Sequence, residues 1–412
     1  MYPVLVPKFH AIASYSPTSD NAAKTEYIFM EFVKGTKFAD VWLQLKEADL
    51  ASVLRQLVKL ESLMMSIPFP AGGSLYFADD LEKIAGEKTG IPMWLNGERF
   101  CIGPDVRVHM WYGRQSQLDA LAAAALKEIT YLERFGQPLL PFQRGRREAY
   151  NYEKQSPLDH IENLQRYLLI APSLMPDNPS LREFCIRHPD LQPSNVMVST
   201  SPDSGQLEIV SLIDWQHASI LARFLLTGIP DEMQNHNDPI SMHLIPPVFP
   251  SDADKMDEAD LSQAKVTHHD RLVHFHYTKG TEEYNKAHHD ALWDPKSLLI
   301  RHLFSEAGYP WEGETHDLKA ALVRVTERWG TLMGRRVACP VKFEQDDVSK
   351  TKAFSETLES DDENVRSFRE LIGYGKAEAW VPTENYGKAK ERASDLIEAV
   401  GVWLKKQSRF PG

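Results

Sequence analysis

Residues Arg187–Gln216 read RHPDLQPSNVMVSTSPDSGQLEIVSLIDWQ, and this stretch decides the fold. His188-Pro189-Asp190 is followed by Asn195, which opens an apolar run through Val198. Pro202-Asp203-Ser204-Gly205 is a turn signal, and Leu207 to Ile213 is a second β-rich run. The pattern predicts a hairpin that carries Asn195 and Asp214 towards the same end of two paired strands. Asp190 is then placed like a proton acceptor, and Asn195 and Asp214 like ligands for a hard cation. A phosphoryl-transfer site needs this set, because its catalysis is mostly positioning and neutralisation of phosphate charge. With 15 histidines in the chain, the spacing His-x-Asp-x-x-x-x-Asn arises by accident only about 0.04 times. A buried hairpin with polar ends is the plainer alternative. It leaves unexplained why those ends are metal-binding residue types.

HPDLQPSNVMV followed by IDW resembles the catalytic and metal-binding loops of the aminoglycoside phosphotransferase family, within the protein-kinase-like superfamily. The likeness is nearest to its fungal branch, which includes the altered-inheritance-of-mitochondria proteins. EYIFMEFVKG (26–35), GGSLYF (72–77), IGPDVRVHMWYGR (102–114), GYPWEGE (308–314) and ACPVKF (338–343) carry it further, so it spans nearly the whole chain. The resemblance implies ATP and Mg²⁺ as cofactors. Asp190 would be the catalytic base for a substrate hydroxyl, Asn195 and Asp214 would hold Mg²⁺ on the phosphates, and His188 would brace the loop. Met30 would line the back of the adenine pocket, with backbone groups of Glu31 and Val33 on the base. Gln192 and Pro193 follow Asp190 with no Lys after them, which suits a small-molecule acceptor better than a protein one.

In that family several strands and a helix precede the hinge. They supply a phosphate-covering loop, a Lys on the phosphates and a Glu that holds the Lys. The sequence before Gly35 offers none of these: Lys8 and Lys24 read as solvated charges, and the later Gly72-Gly73 as a structural turn. The expectation is a small lobe reduced to residues 1–35, then a mostly helical large lobe over 36–412 with its catalytic hairpin at 187–216. Removing one preorganised charge-stabilising group costs about 10²–10³ in rate. A catalytically silent binding or scaffold protein is therefore the alternative to an enzyme. A metal-dependent phosphohydrolase ranks third, because it needs more metal ligands than the sequence offers.

A chain of 412 residues, 42% hydrophobic and 25% charged, can bury a large core. Its net charge of −12 argues against nucleic-acid or anionic-membrane partners. Cys101, Cys185 and Cys339 are too few and scattered for a disulfide framework or zinc site and read as reduced thiols. No apolar run approaches a transmembrane length. Residues 1–25 resemble neither a signal peptide nor a mitochondrial presequence, so the expected location is intracellular and cytoplasmic by default, with mitochondria implied only by the resemblance.

Apolar periodicity predicts helices over 37–66, 116–135, 157–174, 258–306, 318–332 and 386–404. After Asp214 it predicts a return to helix through Ile220, Phe224 and Leu225. Arg144-Gly145-Arg146-Arg147 reads as a solvated loop, and 344–364 as a charged, apolar-poor stretch. The acids Asp231, Glu232 and Asp238 could face a cationic acceptor, although an exposed acidic loop is the simpler account. Six histidines between 268 and 289 show no convincing ligand spacing and read as surface and packing residues. The reading is thus an α+β, protein-kinase-like fold with a truncated small lobe, acting with ATP and Mg²⁺ on a small-molecule acceptor.

Overall fold

The structure, a computed structural model, describes residues 9–13, 27–86, 90–92, 100–105, 117–334, 336–372 and 386–407. Strands β1 (Phe9–Ala13) and β2 (Tyr27–Met30) pair antiparallel, with Ala13 opposite Tyr27. Then come β3 (Thr36–Lys37), α1 (Phe38–Val41), α2 (Glu47–Met65), β4 (Ser74–Phe77), α3 (Ala78–Ala85), β5 (Ile91–Pro92) and β6 (Phe100–Gly103). Helices α4 (Gln117–Phe135), α5 (Arg144–Ala149), α6 (Pro157–Ile170) and α7 (Pro179–Arg182) lead to strands β7 (Phe184–Ile186), β8 (Val196–Thr200), β9 (Leu207–Leu212) and β10 (Ile220–Ala222). The rest is helical: α8 (Arg223–Leu226), α9 (Pro239–Met242), α10 (Glu258–Tyr284), α11 (Lys286–Trp293), α12 (Pro295–Gly308), α13 (His316–Glu327), α14 (Trp329–Met333), α15 (Gln345–Ile372) and α16 (Tyr386–Gln407). This is an α+β fold in which small antiparallel sheets sit among many helices.

The chain divides into two compact units: residues 1–129, 164–310 and 329–338, and residues 130–163, 311–328 and 339–412. The expected division after residue 35 falls inside the first. Its centre is the β3-β8-β9 sheet, in which Thr36 pairs with Val198 and Val196 with Leu212. One face of α2 (Leu50, Val53, Leu54, Leu57, Val58) is buried with Val196, Val198, Ile209 and Leu212 of the hairpin and Val273 and Tyr277 of α10. Gln56 satisfies the outer edge of β9 as a further strand would: its Nε2 donates to Leu207 O (2.9 Å) and its Oε1 accepts from Ile209 N (3.0 Å). β10 pairs with β7 on one side and with Gly73 on the other. Gly73 has φ +143°, and a Cβ there would lie 2.2 Å from Gly103 O, so two backbones meet where only glycine fits.

In the second unit, α13 and α5 pack on α15. Phe354 receives the ring edges of Tyr150 (5.0 Å between centroids) and His316 (4.7 Å).

Three sequence expectations are corrected. Residues 144–149 are helical, and the Arg146 side chain is only 13% exposed, 3.4 Å from Asp317 and 3.9 Å from Glu314. Acidic partners, invisible to a local reading, convert a solvated patch into a packed one. Residues 345–372 form one continuous helix because Val348, Thr351 and Leu358 keep a narrow buried stripe through an otherwise charged surface. Ile220–Ala222 is a strand because the β7 backbone and Gly73 both pair with it, and tertiary hydrogen bonds override a helical pattern.

Candidate active site

The 187–216 stretch is built around the peptide of Ile213. Its N–H donates to Asn195 O (2.9 Å), and its carbonyl lies 2.9 Å from His188 Nε2. His188 Nδ1 accepts the N–H of Asp190 at 3.2 Å, so Nε2 carries the ring proton and donates it to Ile213. Burial pushes the His188 pKa down, which keeps this ring neutral; the carbonyl of Ile213 opposes that shift. Trp215 packs its ring edgewise on His188 (4.6 Å) and donates from Nε1 to Leu212 O. His188 and Asn195 thus fasten the residue before Asp214 from both sides.

Asn195 ends a short 3₁₀ turn, Pro193–Asn195, and is buried. Its amide donates to Asp190 O and to Asp190 Oδ2, both at 2.9 Å. Gln192 Nε2 donates to the same carboxylate oxygen at 2.6 Å. Two amides therefore fix Asp190 through Oδ2 and leave Oδ1 without a hydrogen bond among the described residues, on an exposed side chain. Asp214 is exposed, carries no side-chain hydrogen bond or ion pair among the described residues, and has φ +66°. His217, three residues on, has φ +64°. Non-glycine residues in this region are uncommon and cluster at functional loops.

These donors suit a hard divalent cation. Because the Asn195 amide nitrogen is turned to Asp190, its Oδ1 is the atom left for a metal, alongside the unengaged Asp214 carboxylate. Among the described residues no group of three or more His, Cys, Asp or Glu could enclose an ion. Two oxygen donors with open positions are what Mg²⁺ takes when substrate phosphates and water complete its shell.

The residues that the resemblance places at a hinge lie in the same unit. Met30 ends β2 and is 48% exposed, Glu31 is exposed, Val33 is half-buried, and Phe32 between them is 85% exposed. β3 follows at Thr36 and pairs with β8, tying this segment to the sheet that Asn195 leads into. Of the acids suggested for a cationic acceptor, Asp238 is already engaged. It caps α9 through Ser241 N (3.0 Å) and accepts from Arg271 (2.6 and 3.0 Å), whose hydrogen bonds hold its carboxyl below the usual range. Asp231 accepts from Gln234 (2.9 Å), and Glu232 is exposed.

Sequence reasoning missed what lies beneath the loop. Arg187, directly before His188, donates from Nε to Glu61 Oε1 (2.5 Å) and from its two Nη atoms to Leu226 O (3.2 Å) and Gly228 O (2.7 Å). Tyr277 donates to Glu61 Oε2 at 2.7 Å, and His288 Nδ1 stands 3.4 Å from the same oxygen. Burial alone would push the Glu61 carboxyl up, yet Arg187 and His288 together hold it at about 2. Leu57, Glu61 and Met65 repeat at helical spacing on one buried face, so an acid standing among apolar neighbours was the available signal.

A fold of small sheets and packed helices around a His-Pro-Asp loop, with an Asn and an Asp at the hairpin end, defines a kinase-like phosphotransferase architecture. The phosphotransferase enzyme family matches residues 3–221, more than half of the 412, and the chain belongs to that family. A subtelomeric hrmA-associated cluster protein of Aspergillus fumigatus is 28% identical over 94% of this chain and 81% of its own length. Altered inheritance of mitochondria protein 9, named as mitochondrial, is 20% identical in Clavispora lusitaniae over 92% of this chain and 65% of that protein. Its Saccharomyces cerevisiae counterpart is 21% identical over 98% and 68%. No helix among the described residues is long and apolar enough to cross a membrane.

Proposed function

We propose that this chain transfers the γ-phosphoryl group of ATP to a hydroxyl of a small molecule. The observation that carries the reading is the carboxylate of Asp190, clamped through one oxygen by Asn195 and Gln192 with the other left open, together with an Asp214 that carries no side-chain hydrogen bond or ion pair among the described residues. In the reaction the acceptor oxygen forms a bond to the γ-phosphorus while the bond to the β-phosphate oxygen breaks. ADP leaves with that electron pair, and the hydroxyl proton passes to Asp190 Oδ1. Asn195 Oδ1 and Asp214 would hold Mg²⁺, which when bound offsets phosphate charge. Met30, Glu31 and Val33 would face the adenine. His188 and Gln192 act through the loop and do not touch substrate.

Thermal unfolding with and without Mg²⁺–ATP tests the nucleotide half of the site. A ligand at 100 times its Kd stabilises the native state by about 2.7 kcal/mol. The expected result is a rise in Tm that requires Mg²⁺, disappears in Asp214→Ala and persists in Asp190→Asn. No Mg²⁺-dependent rise at saturating ATP would overturn the reading.

A further inference from the structure

A cavity of about 680 Å³ opens between the β10–α8 segment and α12, and none of Asp190, Asn195 or Asp214 lines it. Leu221, Leu225 and Phe304 give it an apolar wall, Thr227 and Ser305 contribute hydroxyls, and Arg301 supplies a guanidinium. That guanidinium is unusual. It donates from Nη1 to Ala291 O at 3.2 Å and has no ion-pair partner among the described residues. Burial, and then the like charge of Arg187, push its pKa down to about 10, with Asp294 offsetting only part. Asp294 is itself committed to capping α12, where it accepts from Ser297 N at 2.8 Å. The other titratable groups on the lining are Asp231, whose Oδ1 accepts from Gln234, and His302, 3.7 Å from Glu306.

A half-buried cation whose neighbouring carboxylate offsets only part of the cost of burial is costly, and buried charges are as a rule paired. The five-donor guanidinium fork fits the two oxygens of a carboxylate or phosphate. The volume lies in the range of small-molecule sites, which are mostly apolar with a few placed polar groups. We propose that this cavity binds a small organic anion, its carboxylate or phosphate on Arg301 and its apolar body against Leu221, Leu225 and Phe304. The site is independent of phosphoryl transfer at Asp190, so binding alone tests it.

The test titrates the full chain with hexanoate, hexyl phosphate and hexylammonium, by calorimetry and thermal unfolding. At least one anion is expected to bind saturably, the tighter of the two identifying the charged group, and hexylammonium is expected not to bind. Arg301→Met should weaken the anion by about thirtyfold or more. Arg301→Lys should keep part of the affinity, and Leu225→Trp, which fills the cavity from the opposite wall, should abolish it. Failure of both anions to bind, equal binding of hexylammonium, or unchanged affinity in Arg301→Met overturns the proposal. Should Arg301→Met not fold, wild-type affinity in Leu225→Trp overturns it equally.

Discussion

At Asp190 the geometry distinguishes the two oxygens of one carboxylate: Oδ2 is held by Asn195 and Gln192, and Oδ1, the oxygen proposed to meet an acceptor, is not. Asp190→Asn keeps the shape and removes the proposed base. Acceptor-dependent ADP formation should fall by about 10²–10⁴, the usual contribution of a positioned general base, while the Mg²⁺–ATP stabilisation stays as in wild type. Steady-state rates beside nucleotide titration check this; an equal loss of nucleotide affinity would reassign Asp190 to binding. His188 is different in kind, because it is buried and spans Asp190 N–H and Ile213 O. His188→Leu leaves both groups without their partner and should cost about 1–3 kcal/mol, read as a lower urea midpoint at unchanged slope. The sequence could single out His188, Asp190, Asn195 and Asp214 because loop chemistry fixes their spacing. Gln192 had no assigned role there, since its amide meets Asp190 only once the chain has turned back at Pro193.

At the scale of elements, the β8–β9 hairpin is set by its neighbours more than by its own strands. α2 covers it, Gln56 closes its edge, and Arg187, just after β7, is locked to Glu61 on α2 and to the carbonyls of Leu226, the last residue of α8, and Gly228. Glu61→Leu would strand a buried Arg187 and should destabilise the chain by about 3–5 kcal/mol, read by urea denaturation. A loss within a few tenths of a kcal/mol would show that the carbonyls of Leu226 and Gly228 suffice for Arg187. Gly73→Ala strains a backbone at φ +143° and drives a Cβ against Gly103 O, where β10 meets the β4 end. It should cost about 1–3 kcal/mol in the same assay. The hairpin and the longer helices were legible because apolar period and turn residues are local signals. The strand at Ile220–Ala222 was not, because its partners are β7 and Gly73, the latter far away in sequence. The helix at 345–372 was hidden for another reason: a three-residue buried stripe is too sparse to stand out among charges.

At the scale of the whole molecule, family membership and the α+β architecture were legible in one thirty-residue stretch, but the division into two units was not, since it depends on which distant segments pack together. The second unit carries a property that composition conceals. His160 and His316 are both buried there, and burial pushes each from the usual 6.5 down to about 4. His160 Nδ1 lies 2.9 Å from Thr315 Oγ1, and His316 Nε2 lies 2.9 Å from Ser355 Oγ, so each ring is seated as a neutral hydrogen-bonding group. A histidine whose folded pKa lies below its unfolded value binds its proton more readily when unfolded. Its contribution to stability is therefore present above about pH 6.5 and is lost as the pH falls towards 4. Glu314, whose carboxyl burial pushes up, works in the opposite sense: it stabilises while protonated, and its contribution fades as pH rises through its raised value. Between pH 6.5 and 4 each histidine can steepen the loss by at most about 1.4 kcal/mol per pH unit. Acid titration of urea midpoints, with hydrogen exchange followed over 130–163, 311–328 and 339–407, should show this unit weakening across that window. The doubly substituted His160→Asn, His316→Asn chain should be less stable near neutrality and flatter below it. A slope equal to wild type would locate the acid sensitivity elsewhere, in the buried Glu61 and His288 of the first unit.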